Sequence, residues 1–137
     1  VKYLLDTNIC IFLVKKKFPL MERRVQQEEP FSLAVSAISV AELEFGVAKS
    51  LYPEKNRLVL LQFLSLFEIL PFSVDDCRAY GEVRAFLQAR GILIGPYDLQ
   101  IAAQCLTRNL CLVTNNCKEF VRVPGLRFED WTGNLPS

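Results

Sequence analysis

Four acidic residues stand out as candidates for chemistry, because each lies in or against apolar sequence. They are Asp6 in YLLDTN, Glu42 in SAISVAELEFG, Asp98 in GPYDLQIAA and Glu119 in LVTNNCKEF. The other acids lie where solvent or a helix end is expected, which favours surface and capping roles. Buried carboxylates need a partner, and several that converge without a cation repel one another. The pattern therefore indicates a site for a hard metal ion.

The absence of histidine restricts the chemistry further. None of the 137 residues is histidine, which excludes Ser-His-Asp and Cys-His catalysis and every zinc or iron site that needs an imidazole ligand. Oxygen-only ligation favours Mg²⁺ or Mn²⁺, and the metal must then supply the nucleophile by lowering the pKa of a bound water. Short polar side chains near the acids could orient ligands or this water; they are Thr7, Asn8, Thr114, Asn115 and Asn116.

Each acid also has an ordinary structural interpretation, which the sequence leaves open. Asp6 could cap the helix that follows it. Glu42 lies three residues after Ser39 and so could complete an S-x-x-E capping box. Asp98 could complement the N-terminus of a helix, and Glu119 could be an exposed acid.

The elements that would position these acids alternate between short strands and helices. Strands are expected at 3–5, 31–35, within 67–72, at 110–113 and at 126–128. Helices are expected at 9–17, 19–28, 39–50, 54–68, 75–90 and 97–108. This alternation predicts an α/β fold with a parallel sheet, whose ligands bind at the carboxyl ends of the strands. Because Asp6 and Glu119 follow strands and the other two acids open helices, all four can meet at one end of the sheet.

Length and composition indicate one domain over residues 1–137, with 51% apolar residues and a net charge of +1. The five cysteines form no C-x-x-C pair and are interpreted as reduced core residues. No apolar run approaches the roughly 18 residues that span a bilayer, and the N-terminal pattern is not that of a signal peptide. We therefore expect a cytoplasmic protein without a membrane partner.

Two surface features point to binding partners. A basic cluster that could bind backbone phosphates consists of Lys15, Lys16, Lys17, Arg23 and Arg24. A solvated helix end is the alternative explanation of this cluster. The helix expected at 54–68 is apolar nearly all round, so it is either central to the core or covers a partner.

The ordered strings LLDTN, AELEFG, GPYDLQIAA and VTNNCKEF, followed by VPGLRFEDW, resemble the PIN-domain ribonucleases, and specifically the VapC toxins of bacterial type II toxin–antitoxin pairs. The resemblance runs from about residue 3 to residue 131. It implies a PIN-like α/β/α sandwich around a central, mainly parallel sheet. It matches the four acids to the family's acidic quartet, and it matches the family's polar helpers to Thr7, Asn8, Thr114 and Asn116.

The resemblance also implies an activity and partners. The expected enzyme is a Mg²⁺-dependent endoribonuclease that cleaves structured RNA, often tRNA, and leaves 5′-phosphate and 3′-hydroxyl ends. A VapB-type antitoxin would inhibit it, and the toxin would form a homodimer and a higher assembly with the antitoxin. Glu44 lies two residues after Glu42 and is expected to point to another side of the helix.

Two alternatives belong to other functional classes. An aspartyl-phosphate phosphatase or receiver domain also has an Asp at a strand end, but the phosphatase type needs a second Asp where this chain has Asn8, and a receiver needs an acid adjacent to Asp6. A non-catalytic PIN-like module that binds RNA or protein is the other alternative. Retention of all four acids argues against it.

Overall fold

The computed structural model describes residues 1–132, so the last five residues of the expected domain lie outside the described residues. The strands are β1 (Tyr3–Leu5), β2 (Leu33–Ser36), β3 (Glu68–Leu70), β4 (Cys111–Val113) and β5 (Phe128–Glu129). The helices are α1 (Thr7–Val14), α2 (Pro19–Gln27), α3 (Ala37–Ala48), α4 (Pro53–Leu64), α5 (Val74–Ala89), α6 (Pro96–Arg108) and α7 (Cys117–Phe120).

The strands form one sheet in the order β3-β2-β1-β4-β5, and every neighbouring pair is parallel. In the centre, Leu4 of β1 is in register with Ala34 of β2 and with Leu112 of β4. The predicted α/β fold with a central parallel sheet is confirmed. The carboxyl ends of β1, β2 and β4 consequently lie side by side.

Each face of the sheet is covered by its own hydrophobic core. Leu4 of β1 packs into a core built largely from α5 and α6, which includes Leu87 and Leu99. The next residue, Leu5, packs on the opposite face with Ile9 of α1 and Met21 of α2. Successive strand residues point to opposite faces, so β1 is buried on both sides and must be apolar throughout.

Proline or serine marks the beginning of five of the helices, α2 to α6. Pro19, Pro53 and Pro96 each occupy the first turn of a helix, where the missing N–H has no intrahelical partner to lose. Helix α3 begins two residues earlier than expected, because the Ser36 hydroxyl accepts a hydrogen bond from the Ile38 amide at 3.0 Å. The expected 54–68 helix was too long, since α4 ends at Leu64 before the chain enters β3.

An unexpected buried ion pair joins α5 to α6. The sequence predicts a surface or capping role for Asp76, and Asp76 does form a capping box with Ser73, but its side chain is fully buried. The Arg108 guanidinium donates to both carboxylate oxygens, at 2.7 and 2.9 Å. Burial alone would raise the pKa of Asp76, but hydrogen bonds from Thr107, the Ser73 backbone and Arg108 lower it below its usual value. This pair is structural, since both groups satisfy each other.

The cysteines agree only in part with the expectation of core residues. All five are free, and Cys10, Cys105 and Cys111 are buried, but Cys117 is half-buried and Cys77 is exposed on α5. No helix within residues 1–132 is long and apolar enough to cross a membrane.

Candidate active site

Asp6 occupies the position where β1 ends and α1 begins. It is 4% exposed, and its Oδ1 accepts a hydrogen bond from the Ile9 amide at 2.9 Å, which makes it the N-cap of α1. The capping interpretation is therefore correct for Asp6. Capping fixes the carboxylate at the carboxyl end of the central strand, so it positions the group for a second role as well.

Glu42 is held by a hydroxyl of α1 and not by a capping box. The box with Ser39 is wrong because Ser36 already caps α3, which places Glu42 in the second turn. The Thr7 hydroxyl donates to Glu42 Oε1 at 2.8 Å and lies 2.8 Å from the buried Ser39 hydroxyl. This chain of hydrogen bonds ties the start of α1 to α3 and orients the Glu42 carboxylate.

The other two acids, Asp98 and Glu119, belong to α6 and α7. Asp98 is half-buried in the first turn of α6, whose N-cap, Gly95, offers no side chain. Glu119 lies on the short helix α7 and accepts a hydrogen bond from Asn116 Nδ2 at 2.9 Å. The backbone amide of Asn116 in turn donates to the hydroxyl of Thr114, the buried residue that follows β4.

Burial and neighbouring negative charges raise the pKa values of two of these carboxyl groups. Burial raises the pKa of Asp6 to about 6, and the negative charges of Glu42 and Asp130 add to this, although hydrogen bonding to the Thr114 side chain and the Ile9 amide opposes it. Burial also raises the pKa of Asp98 to about 6, with further contributions from Asp6, Glu119 and Glu42. Within residues 1–132, none of the four predicted site acids forms an ion pair with a basic side chain.

A cavity of about 480 Å³ opens between these elements. Three predicted acids line it, Asp6, Glu42 and Asp98, together with the predicted helpers Thr7, Asn8 and Asn116. Glu119 and Thr114 do not line this cavity. Both are hydrogen-bonded to Asn116, which does line it. Within residues 1–132, no group of three or more cysteines or acids is arranged so that it could hold a metal ion by itself. Mg²⁺ retains several waters and takes one or two carboxylates, so an open cavity of this kind suits it.

The residues of the predicted basic cluster have different surroundings. Lys15 lines the acidic cavity, whereas Lys17 lies against the Phe12 ring, with its Nζ 5.1 Å from the ring centroid. The Arg24 guanidinium is 4.4 Å from the Trp131 ring centroid and 3.6 Å from Glu129, so it joins α2 to the segment after β5. Two further members are exposed, Lys16 and Arg23.

The sequence interpretation missed three residues of this region: Ser39, Lys49 and Asp130. The sequence suggests only a capping role for Ser39, whereas its hydroxyl contacts that of Thr7. Lys49, at the end of α3, lines the acidic cavity. Asp130 follows β5 as Asp6 follows β1, and its charge contributes to the raised pKa of Asp6. The rule that residues after parallel strands share one edge would have identified Asp130.

Comparison with known proteins identifies the family. The PIN domain model matches residues 3–126. The chain belongs to the PIN-domain family. This PIN domain is 41% identical over 130 residues to the tRNA(fMet)-specific endonuclease VapC of Salmonella typhimurium, a match that covers 95% of this chain and 98% of that protein. It is 42% identical over 130 residues to Ribonuclease VapC2 of Rickettsia felis, with 94% and 97% covered.

The fold of this PIN domain is also that of solved VapC structures. The crystal structure of DNA-bound VapBC from Salmonella typhimurium matches with a TM-score of 0.91 and 40% identity, over 96% of this chain and 98% of that one. The predicted resemblance to VapC ribonucleases and the predicted enzyme class, a nuclease that hydrolyses phosphodiester bonds, are thereby confirmed. PIN-domain VapC nucleases depend on a divalent metal ion.

Proposed function

We propose that this PIN domain is a Mg²⁺- or Mn²⁺-dependent endoribonuclease toxin and that its active site is the acidic cavity at the carboxyl ends of β1, β2 and β4. One observation carries the assignment. Burial raises the pKa values of Asp6 and Asp98 to about 6, the negative charge of Glu42 adds to both, and no acid of this quartet forms an ion pair with a basic side chain in the described chain. Such an arrangement destabilises the protein unless a cation occupies it.

The donor set fits a hard divalent cation. Every candidate ligand is an oxygen, and no imidazole or nearby thiolate competes, because burial raises the pKa of Cys10 well above its usual range. Asp6 and Asp98 are the proposed direct ligands, with Glu42 as a further one. A bound ion supplies an activated water and neutralises the charge that develops on the phosphodiester.

The chain's own side chains orient these ligands. The amide of Ile9 fixes the Asp6 carboxylate, and the Thr7 hydroxyl fixes that of Glu42. Asn116 holds Glu119 behind the cavity, so Glu119 is proposed to be a peripheral member of the site. Two lysines on the cavity rim, Lys15 and Lys49, are suited to bind the phosphates on either side of the scissile one.

tRNA is the proposed substrate, because the Salmonella typhimurium relative is a tRNA(fMet)-specific endonuclease. The test incubates purified protein with total tRNA in EDTA, then with Mg²⁺ or Mn²⁺ restored. Cleavage that appears only with the divalent ion, and leaves 5′-phosphate ends, supports the proposal. RNA binding without cleavage under every condition would favour the non-catalytic module instead.

A VapB-type antitoxin is the proposed protein partner, since relatives form VapBC complexes. A second cavity, of about 370 Å³, lies between α1, α3 and α4 and is lined mainly by apolar side chains. Its members include Ile11, Val14, Leu43, Val47, Val59 and Leu60. An apolar antitoxin segment suits this groove. Hydrogen exchange should slow on α3 and α4 in the complex, while the solvent face of α5 serves as the control and stays unchanged.

We also propose a homodimer and a cytoplasmic location. The five free thiols are compatible with a reducing compartment. Sedimentation of the protein with and without antitoxin measures the first property, and cell fractionation measures the second.

A further inference from the structure

Two exposed aromatic residues lie next to acids of the proposed active site. Phe45 follows Glu42 by three residues on α3, and Tyr97 immediately precedes Asp98 on α6. Phe45 is 65% exposed and Tyr97 is 55% exposed. Together with Glu42, they line a cavity of about 400 Å³. Phe45 and Glu42 also line the acidic cavity, so the two cavities adjoin each other.

Packing does not explain these rings. Both hydrophobic cores of the described chain form without Phe45 and Tyr97. Large aromatic side chains that remain in water beside a polar cavity are typical of ligand-binding surfaces. Residues three apart on a helix share one side, so Phe45 presents its ring on the same side of α3 as the Glu42 carboxylate.

A cation completes this surface. Lys49 Nζ lies 5.0 Å from the centroid of the Phe45 ring, and Lys49 also lines the acidic cavity. An aromatic face beside an ammonium group matches the two parts of a nucleotide, a base that stacks and a phosphate that carries negative charge. The bases of single-stranded RNA are free to stack on aromatic side chains, whereas those of a duplex are already stacked within it.

We propose that Phe45 and Tyr97 stack unpaired nucleobases beside the scissile phosphodiester, so that the enzyme selects single-stranded loops of its RNA. This inference rests on the proposed nuclease function, because it assumes that the acidic cavity holds the scissile phosphate. The aromatic pair would give the enzyme a means of distinguishing one RNA phosphodiester from another. The acids and the metal act on a phosphate that every RNA contains, while the aromatic pair requires that neighbouring bases be unpaired.

The direct test measures stacking without cleavage. A short single-stranded oligoribonucleotide that carries 2-aminopurine is titrated with protein at low salt in EDTA, and the same RNA annealed to its complement is the comparison. Stacking quenches the fluorescence of 2-aminopurine, so wild-type protein should quench the single strand and leave the duplex almost unaffected. Phe45→Ala and Tyr97→Ala should each weaken binding by about fivefold or more and reduce the quenching.

Matched variants separate stacking from other contacts. Phe45→Trp keeps an aromatic face and should bind like wild type, whereas Phe45→Leu keeps only an apolar surface and should behave like Phe45→Ala. Phe31→Ala is the control, because Phe31 is also 65% exposed but precedes β2 at the opposite end of the sheet. In cleavage assays with Mg²⁺, loss of either aromatic ring should raise KM for tRNA more than it lowers kcat.

Several outcomes would overturn the proposal. Unchanged binding and quenching in both alanine variants would do so, and so would wild-type affinity in Phe45→Leu. Dissociation of a dimer by Phe45→Ala with quenching intact would assign the surface to a second copy of the chain. Quenching without any metal-dependent cleavage would contradict the proposed nuclease and leave stacking supported, while cleavage without quenching would contradict stacking alone.

Discussion

Two buried aspartates of this protein, Asp76 and Asp6, have opposite surroundings. Asp76 accepts two hydrogen bonds from Arg108, and its pKa lies below the usual value. Asp6 has no such partner, and burial, with smaller contributions from the charges of Glu42 and Asp130, raises its pKa to about 6. The Asp76 carboxylate has a structural role only, because its charge is already paired with Arg108. The Asp6 carboxylate remains electrostatically unsatisfied, which is the condition expected of a group reserved for a cation.

The largest expected effect is a loss of RNA cleavage after a change in the acidic cavity. Asp98→Asn keeps the shape of the side chain but removes a charge from the proposed metal site, so RNA cleavage should fall by about a thousandfold or more. Stability in EDTA should not fall, because a repulsive charge is lost. The measurement is single-turnover cleavage together with urea unfolding. Near wild-type cleavage in Mg²⁺ would remove Asp98 from the ligand set.

Glu44→Gln is the matched control for that prediction. Glu44 lies on the same helix as Glu42, but its carboxylate is 3.4 Å from Arg57 of α4 and so points away from the acidic cavity. Cleavage by this variant should be nearly unchanged, since an exposed ion pair contributes little. A loss comparable to that of Asp98→Asn would show that nonspecific charge removal accounts for the effect.

A change at the Asp76–Arg108 pair should lower stability and leave cleavage unchanged. Asp76→Asn leaves the Arg108 guanidinium without its counter-charge, so the free energy of unfolding should fall by about 3 kcal/mol, near the low end for a broken buried pair because Arg108 is 26% exposed. Cleavage per folded molecule should be unchanged. Glu82→Gln, which breaks an exposed pair with Arg78, is the control and should change stability little. Strong loss of activity at full stability would contradict the purely structural role.

The pH dependence of stability should differ between the two regions. In EDTA, Asp6 and Asp98 have a pKa of about 6 when folded and 3.8 as the ordinary value, so the folded state binds more protons between these pH values. Their contribution to stability is therefore present below about pH 4 and lost as the pH rises through 6. Asp76 contributes above its ordinary pKa of 3.8, and this contribution is lost as the pH falls below that value.

Urea unfolding in EDTA across this pH range measures both effects. The difference in stability between Asp98→Asn and wild type should grow in favour of the variant from pH 4 to pH 7. Asp76→Asn should approach wild type only at the acid end. Added Mg²⁺ should stabilise wild type more at pH 7 than at pH 5, since binding to the folded state requires ionised carboxylates. A pH-independent difference for Asp98→Asn would contradict the raised pKa.

The same contrast explains what the sequence could predict. The parallel sheet follows from alternating apolar strands and helices, and Asp6 and Asp98 follow from their places after β1 and at the start of α6. Local patterns fail where a long-range contact decides. Asp76 meets Arg108 only through α5–α6 packing, 32 residues apart. The orientation of Glu42 depends on a hydroxyl 35 residues away, on Thr7. A four-residue helix such as α7 has too few positions to show a periodicity.

The smallest expected effect concerns Glu119. Its carboxylate is less fully paired than that of Asp76 and less central to the acidic cavity than that of Asp6. Asn116 satisfies part of its carboxylate at 2.9 Å, and Glu119 does not line the acidic cavity, although its charge raises the pKa of Asp98. A ligand outside the cavity lining is held less precisely at the metal site than Asp6, whose carboxylate is fixed because it caps α1. Glu119→Gln should therefore reduce cleavage by only about tenfold, or about 1.4 kcal/mol of barrier, and raised Mn²⁺ should restore part of it. Asp6→Asn should remain inactive at every metal concentration. Rescue of Asp6→Asn by Mn²⁺, with Glu119→Gln beyond rescue, would reverse the assignment of direct and peripheral ligands.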